Sequence, residues 1–212
     1  MTKLNINAYY NNKYQIILDE KIGGEYADIF FKSIFEMLSA TIIISEKNSI
    51  LEFYAHSVKH LTQLDYYQTI SLLHSLYKQN SYLENFGLGF YCLGADDIVM
   101  IDDSIFICIN PVFIKEKDAN GDFSFYAPFS RIRSLGFFSP EIRALYTIPA
   151  TVSHKCFYYS LGALAICSLF GDGKNTDDVS VKLLKPIAQT KLYWTILKLL
   201  SIDCERRMLL FI

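Results

Sequence analysis

An uncharged stretch from Tyr158 to Phe170 limits the fold of this chain more than any other feature. The stretch reads YYSLGALAICSLF and contains no Asp, Glu, Lys, Arg or His. A helix that is apolar around its whole circumference must be covered around its whole circumference. Crossing a bilayer takes about 20 apolar residues, and this stretch is too short for that. The sequence therefore predicts a helix that lies buried in the middle of a helical domain.

Length, composition and charge narrow the class of protein. The 212 residues suit one domain, or one domain with a small appendage. Hydrophobic residues make up 51% and aromatic residues 15%, which is enough for a packed core. Twenty basic residues stand against 22 acidic ones, giving a formal net charge of −2. A chain so close to neutral has no basic field for a polyanion, so we expect no nucleic-acid partner.

Cysteine usage and the N-terminus both indicate an intracellular protein. The cysteines are Cys92, Cys108, Cys156, Cys167 and Cys204. They are widely spaced without a C-x-x-C pair, which is typical of reduced thiols. The N-terminal residues MTKLNINAYYNNKYQ lack the apolar segment of a signal peptide. We expect a soluble, cytoplasmic protein with no membrane contact.

Hydrophobic spacing predicts a mixed α+β protein. After a loose N-terminal arm, a strand, a helix and two strands are predicted at 14–18, 25–40, 41–44 and 50–54. Further along, helices are predicted at 64–84, 158–170, 179–184 and 190–200, and hairpin strands at 98–101 and 105–109. The polar stretch 115–136 is interrupted by Gly and Pro and predicts a long surface loop.

Three short motifs follow one another at the spacing found in the large lobe of protein kinases. Ser139-Pro140-Glu141 stands where kinases have Ala-Pro-Glu, and Ser160-Leu161-Gly162 resembles the end of Asp-x-Trp-Ser-x-Gly. Residues 203–207 resemble Asp-Pro-x-x-Arg, with Cys204 in place of Pro. The chain thus resembles a divergent protein kinase, similar in style to kinase-like proteins of large DNA viruses. The resemblance implies an α+β fold with a reduced β-containing small lobe over 1–60 and a mainly helical large lobe over 61–212.

The resemblance also assigns roles to individual residues. Glu141 and Arg207 fill the two positions that form an ion pair in kinases. Aligned through the hairpin, Cys92 falls on the catalytic Asp of H-R-D-x-x-x-x-N, and Asp97 falls on its metal-binding Asn. Asn110 takes the place of the Asp of D-F-G. We keep Asp97 and Asn110 as the pair that would hold magnesium and nucleotide if either is bound.

Other expected kinase groups are replaced or missing. Phe157 occupies the place of a helix-start Asp that hydrogen-bonds the catalytic loop, which fits a loop that no longer needs a fixed shape. The N-terminal part has no G-x-G-x-x-G loop and no V-A-I-K strand. Lys21 with Glu25 or Glu36 is a weak candidate for the lysine–glutamate pair.

These replacements favour a pseudokinase, a catalytically impaired kinase-like domain that binds proteins in a scaffold or regulatory role. No catalytic residue and no cofactor are then expected. The first alternative is an atypical ATP-dependent kinase that uses Asp96 or Asp97 as base and metal ligand, with ATP and magnesium. The second is a structural subunit of a larger assembly, viral if the likeness to viral proteins holds. Its contact patch would be the exposed aromatic residues Phe123, Phe125, Tyr126 and Phe129.

His56 and His60 are four residues apart and on a helix would share one face, as two metal ligands do. No glutamate follows as in H-E-x-x-H, and no third ligand is evident. We therefore interpret the two histidines as surface residues and predict no metal site there.

Overall fold

The computed structural model describes residues 5–8, 10–18, 26–38, 41–44, 49–126, 136–171 and 181–210. Over these residues the protein is a mixed α+β structure with small antiparallel sheets. Its strands and helices, in chain order, are β1 (Asn5–Ala8), β2 (Lys13–Leu18), α1 (Ala27–Leu38), β3 (Thr41–Ile44), β4 (Ser49–Tyr54), β5 (Val58–His60), α2 (Tyr66–Glu84), β6 (Leu88–Phe90), β7 (Ile98–Ile101), β8 (Ile105–Cys108), β9 (Ile114–Glu116), β10 (Phe123–Phe125), α3 (Pro140–Arg143), β11 (Ala150–Val152), α4 (Cys156–Phe170) and α5 (Lys191–Leu199). Short 3-10 turns lie at Tyr10–Asn12, Ala95–Asp97, Pro111–Phe113, Val181–Ile187 and Cys204–Arg206.

The N-terminal sheet has the strand order β1-β2-β4-β3, and all its pairings are antiparallel. Helix α1 follows β2 and buries Phe30, Phe31 and Ile34. It packs against α2 and β8, so the N-terminal elements share the core of the C-terminal ones. The predicted order of strand, helix, strand and strand is confirmed, whereas the arm predicted as loose contains the additional strand β1.

Helix α4 is buried along most of its length, as its lack of charge predicts. Leu161, Ala163, Leu164 and Ala165 have no exposed surface. The helix packs between α2 and α5, and it ends at Gly171, which adopts the left-handed conformation that favours glycine. Among the helices that the structure describes, none is both long and apolar enough to cross a membrane.

Buried polar side chains connect helix α2 to its neighbours. Asp65 begins the helix by accepting the backbone N–H of Gln68 at 2.8 Å. Farther along, Gln79 donates to the backbone oxygen of Cys108 and accepts its N–H, both at 2.9 Å. The side-chain oxygen of Asn80 accepts the N–H of Phe90 at 2.9 Å. These bonds fix α2 against β8 and β6, because a buried amide left without a partner costs about 1–3 kcal/mol.

The connection between the N-terminal sheet and α2 is held by the hairpin turn. A side-chain oxygen of Asp102 accepts the backbone N–H groups of His56 at 2.7 Å and of Ser57 at 2.8 Å. Strand β5 then pairs with β7, and β7 pairs with β8. His56 therefore lies in a linker and His60 in a strand, so the helical spacing assumed for them is wrong.

The predicted long loop at 115–136 contains strands β9 and β10. Phe123 and Phe125 are buried in β10, where both rings pack against Tyr91. The interpretation of these two phenylalanines as exposed contact residues is therefore wrong: Phe-Ser-Phe alternates as a strand, and both rings turn inward. Tyr126 is 74% exposed, and Phe129 lies outside the described residues.

The close contact between α4 and α5 generates a stability prediction. A Cβ atom at Gly162 would lie 2.8 Å from Leu199 Cβ and 3.2 Å from Leu200 Cγ. Alanine exceeds glycine in helix propensity by about 1 kcal/mol, yet overpacking costs about 1–3 kcal/mol. We expect Gly162→Ala to lower the free energy of unfolding measured in urea. Lys78→Ala, at an exposed position of α2, is the control and should change it by less than about 0.5 kcal/mol; a more stable Gly162→Ala protein would contradict the packing.

Candidate functional site

Asp97 and Asn110 lie together at the open end of the β7–β8 hairpin. Asp97 ends a 3-10 turn directly before β7, and Asn110 directly precedes the next such turn. Asn110 Nδ2 donates to Asp97 Oδ1 at 2.8 Å, and the N–H of Ile109 donates to the backbone oxygen of Asp97 at 3.0 Å. The side-chain oxygen of Asn110 accepts the N–H of Val112 at 3.1 Å. The structure thus places side by side the two residues singled out for magnesium and nucleotide.

The environment of Asp97 favours its neutral form. Burial raises the pKa of this carboxyl from 3.8 to about 6, although the hydrogen bond from Asn110 acts in the opposite direction. The nearby charge of Asp96, which is exposed, adds to the increase. A carboxyl whose pKa lies this near neutrality is a functional-site signal, because proton transfer at neutral pH needs such a group.

Cys92 is enclosed rather than open to a substrate. Its side chain is fully buried, and burial raises the pKa of the thiol well above its ordinary value. The Ser160 hydroxyl donates to Cys92 Sγ at 3.8 Å, and the backbone of Gly136 packs so closely that an added Cβ would collide with the sulfur. A thiol in these surroundings stays protonated at neutral pH and cannot act as a general base.

The loop around Cys92 is nevertheless held by helix α4. Ser160 Oγ accepts the backbone N–H of Leu93 at 2.7 Å. Ser160 lies one turn after Phe157, so a hydrogen bond from helix α4 to this loop is present although Phe157 stands in the place of the helix-start Asp. Phe157 itself stacks on Phe90 at a ring-centroid distance of 6.4 Å. Ser160 is part of the Ser160-Leu161-Gly162 motif, but the motif alone does not indicate its hydrogen bond to the Leu93 backbone.

Aromatic packing extends from α4 into the N-terminal region. The Phe90 ring stacks on Phe157 and also meets Phe30 of helix α1 edge-on at a centroid distance of 6.5 Å. All three side chains are almost completely buried. This column of three rings holds α1 in a defined position beside the Cys92 loop, in addition to the hydrogen bond from Gln79 to Ser33 Oγ at 3.3 Å.

Glu141 and Arg207 form the ion pair that the resemblance implies. Arg207 Nη2 donates to Glu141 Oε2 at 3.0 Å, and Nη1 contacts Oε1, which makes the pair bidentate. Arg207 has no exposed side-chain surface; its Nε donates to the backbone oxygen of Ser201 at 2.7 Å, and its guanidinium lies over the Tyr159 ring. The pair therefore connects α3, α4 and the C-terminal turn.

The remaining candidates offer little chemistry. Lys21 and Glu25 lie outside the described residues, and Glu36 is exposed on α1. Within the described part of the chain, no group of three or more His, Cys, Asp and Glu residues is placed to hold a metal ion. Asp97 and Asn110 could supply a carboxylate and an amide oxygen to magnesium, but one oxygen of Asp97 already accepts the Asn110 amide and the Asn110 oxygen already accepts the Val112 N–H.

Comparisons with protein families and with curated proteins give no indication of function. A scan against protein-family models and a search of curated proteins each find no match to the chain. Two features of the site bear on function: the hydrogen-bonded pair of Asp97 and Asn110 at the hairpin, and the enclosed thiol of Cys92.

The buried ion pair predicts a large loss of stability when one partner is removed. Arg207→Met leaves the Glu141 carboxylate without its bidentate partner, and we expect the free energy of unfolding in urea to fall by about 3–5 kcal/mol. Arg206→Met is the matched control, because Arg206 forms an exposed pair with Asp203; it should change stability by about 0–1 kcal/mol. Equal effects of the two substitutions would contradict a structural role for the Glu141–Arg207 pair.

The raised pKa of Asp97 predicts a pH-dependent stability. The pKa in the folded state, about 6, exceeds the ordinary value of 3.8, so the folded state binds the proton more tightly than the unfolded state does. Stability from this group is complete below about pH 4 and is lost as the pH rises through about 6. Asp97→Asn should therefore raise the free energy of unfolding by about 2–3 kcal/mol near pH 7.5 and have little effect near pH 4.

The exposed neighbour Asp96 provides the control for this experiment. Asp96→Asn removes the same charge from an exposed side chain. Because Asp96 contributes less to the raised pKa of Asp97 than burial does, this substitution should change stability by less than about 0.5 kcal/mol at either pH. Urea denaturation at both pH values measures the difference. A pH-independent effect of Asp97→Asn would contradict the raised pKa.

Proposed function

We propose that this chain is a divergent protein-kinase-like domain that has lost phosphoryl transfer and acts by binding a protein partner. The proposal depends above all on Cys92. The resemblance puts this residue at the position of the catalytic carboxylate, and the side chain there is a buried, protonated thiol. Phosphoryl transfer by a kinase needs a carboxylate that accepts and orients the hydroxyl of the substrate. A neutral thiol closed off by Gly136 and Ser160 supplies neither function.

The surroundings of the hairpin support the same conclusion. All four residues of β7 are buried, so this strand presents no open apolar surface to a nucleotide base. Asn110 contributes a neutral amide where the resemblance expects a carboxylate, and this amide is already bonded to Asp97. A site for ATP and magnesium would need this region both to open and to gain negative charge.

The contacts that hold the helical region together support the proposal that the chain binds a protein partner. The Glu141–Arg207 pair, the Ser160–Leu93 hydrogen bond and the ring column around Phe90 hold the large helical region in one arrangement. A rigid surface reduces the entropy lost on association. Such a fixed shape has value to a binding module even where no reaction takes place.

Titration with ATP and magnesium tests the loss of nucleotide chemistry. A ligand present at 100 times its dissociation constant stabilises the folded state by about 2.7 kcal/mol, which is a measurable shift in melting temperature. We expect no saturable shift at millimolar ATP and no transfer of radiolabelled phosphate to the chain or to added acceptor proteins. Turnover of ATP that is lost in Asp97→Asn but kept in Asp96→Asn would overturn the proposal.

That result would instead establish the second candidate, an atypical ATP-dependent kinase. The observation that favours it is the pKa of about 6 at Asp97, which suits a general base near neutral pH. In this case the rate should rise as the pH increases through about 6, because the base acts when it is deprotonated. A rate that does not depend on pH over this range would argue against Asp97 as the base.

A further inference from the structure

A basic surface lies near the C-terminus and plays no part in the site described above. Residues 181–202 contain no Asp or Glu, although the chain as a whole carries a net charge of −2. The lysines in this segment are Lys182, Lys185, Lys191 and Lys198. Positive charge is therefore concentrated on helix α5 and on the 3-10 turn before it, while the remainder of the chain is acidic.

Helix α5 places two of these lysines around an exposed tryptophan. Its buried side consists of Leu192, Thr195, Ile196 and Leu199. Lys191, Trp194 and Lys198, spaced three and four residues apart, share the opposite side. Trp194 is 56% exposed, and the ring of Tyr193 meets it edge-on at 5.1 Å. We call Lys191, Trp194 and Lys198 the basic–aromatic face.

Among the described residues, no acidic side chain forms a salt bridge with the lysines of this face, and the salt bridges that do form involve other basic side chains. Lys191 is the first residue of α5, where the helix dipole is also positive and no acidic residue occupies the first turn. A positive potential therefore surrounds an exposed aromatic ring, and a complementary ligand is anionic with an apolar part.

We propose that the basic–aromatic face binds an acidic polypeptide segment in which carboxylates flank an apolar side chain. Lys191 and Lys198 are seven residues apart, so along the helix axis their backbone positions are separated by about 10 Å. The apolar side chain would pack on Trp194 between the two lysines, since tryptophan is among the residue types enriched at the energetic centres of interfaces. This inference rests on the proposed function and adds to it the chemical class of the partner.

An anionic membrane is the other surface that attracts lysine and tryptophan, and the neighbouring residues disfavour it. Ile202 is exposed just after α5, but Asp203 and Glu205 follow it with exposed carboxylates. A flat bilayer approaching this end of α5 would meet those carboxylates as well as the lysines. A narrow peptide can contact Lys191, Trp194 and Lys198 without meeting them, so the face fits a polypeptide better than a lipid surface.

Fluorescence anisotropy with a labelled peptide tests the inference. The probe carries two glutamates flanking a leucine, and the control peptide has glutamines in their place. We expect only the acidic peptide to bind, with a Kd that Trp194→Ala raises about tenfold or more. Combined Lys191→Gln and Lys198→Gln should weaken binding and reduce its dependence on salt.

Matched variants distinguish this face from general surface effects. Tyr67→Ala removes another largely exposed aromatic ring, on α2, and Lys32→Gln with Lys78→Gln removes the same charge from exposed positions of α1 and α2. These controls should leave the Kd unchanged. Equal loss of binding in controls and test variants would overturn the inference, as would equal binding of the two peptides or no binding of either.

Two further measurements separate the remaining outcomes. Binding to phosphatidylserine vesicles but not to the peptide, with loss in Trp194→Ala, would overturn the inference in favour of a lipid surface.

Titration with ATP separates this inference from the proposed function. Turnover of ATP by a protein that also binds the peptide would overturn the proposed function and support peptide binding by the basic–aromatic face. A protein that binds neither ATP nor the peptide would overturn the inference about the basic–aromatic face without contradicting the proposed loss of phosphoryl transfer.

Discussion

Because helix α4 carries no charged side chain, other elements have to cover it on every side, and the rest of the fold is arranged around this requirement. Each side of the helix makes a different contact. Gly162 allows α5 to approach closely, Phe157 stacks on Phe90, and the ring of Tyr159 lies beneath the Arg207 guanidinium. One uncharged helix therefore fixes the positions of α5, β6 and the C-terminal turn.

Apolar burial alone would not give these elements a unique alignment, because hydrophobic contacts have no direction. The buried polar side chains provide direction. The amide of Gln79 matches both the N–H and the carbonyl of Cys108, and Asn80 and Ser160 each accept one backbone N–H from the segment 90–93. A shift of β8 by one residue would break both bonds to Gln79 and leave its buried amide unsatisfied.

The elements that could be predicted from the sequence are those whose pattern is local. Helices α2 and α4 show either a helical period or a long uncharged run, and strands β7 and β8 are apolar runs on either side of a turn. Strands β5, β6, β10 and β11 have three residues each, and their pairing partners are distant in the chain. Such short strands depend on their pairing partners, and three residues are too few for a local period to identify them.

The same distinction applies to the candidate site. The closeness of Asp97 to Asn110 follows from the hairpin that separates them, so the sequence predicts it as soon as the hairpin is recognised. The hydrogen bond from Leu93 to Ser160 joins residues that are 67 positions apart. It depends on the rotation of α4 about its axis, which a helix without a polar face does not reveal.

The charge balance at the hairpin suggests why neutral residues surround Asp97. Burial has already raised its pKa to about 6, and among the described residues Asp96 is the acidic neighbour that adds to the increase. The charge of Asp97 also raises the pKa of the buried Cys92 thiol. A carboxylate at position 92 would place a second negative charge in the same poorly solvated region, and without a metal ion the two groups would repel each other. A neutral thiol and the Asn110 amide remove this repulsion and let the segment pack tightly. The proposed binding function would need only this packing, whereas phosphoryl transfer would need carboxylates at these positions.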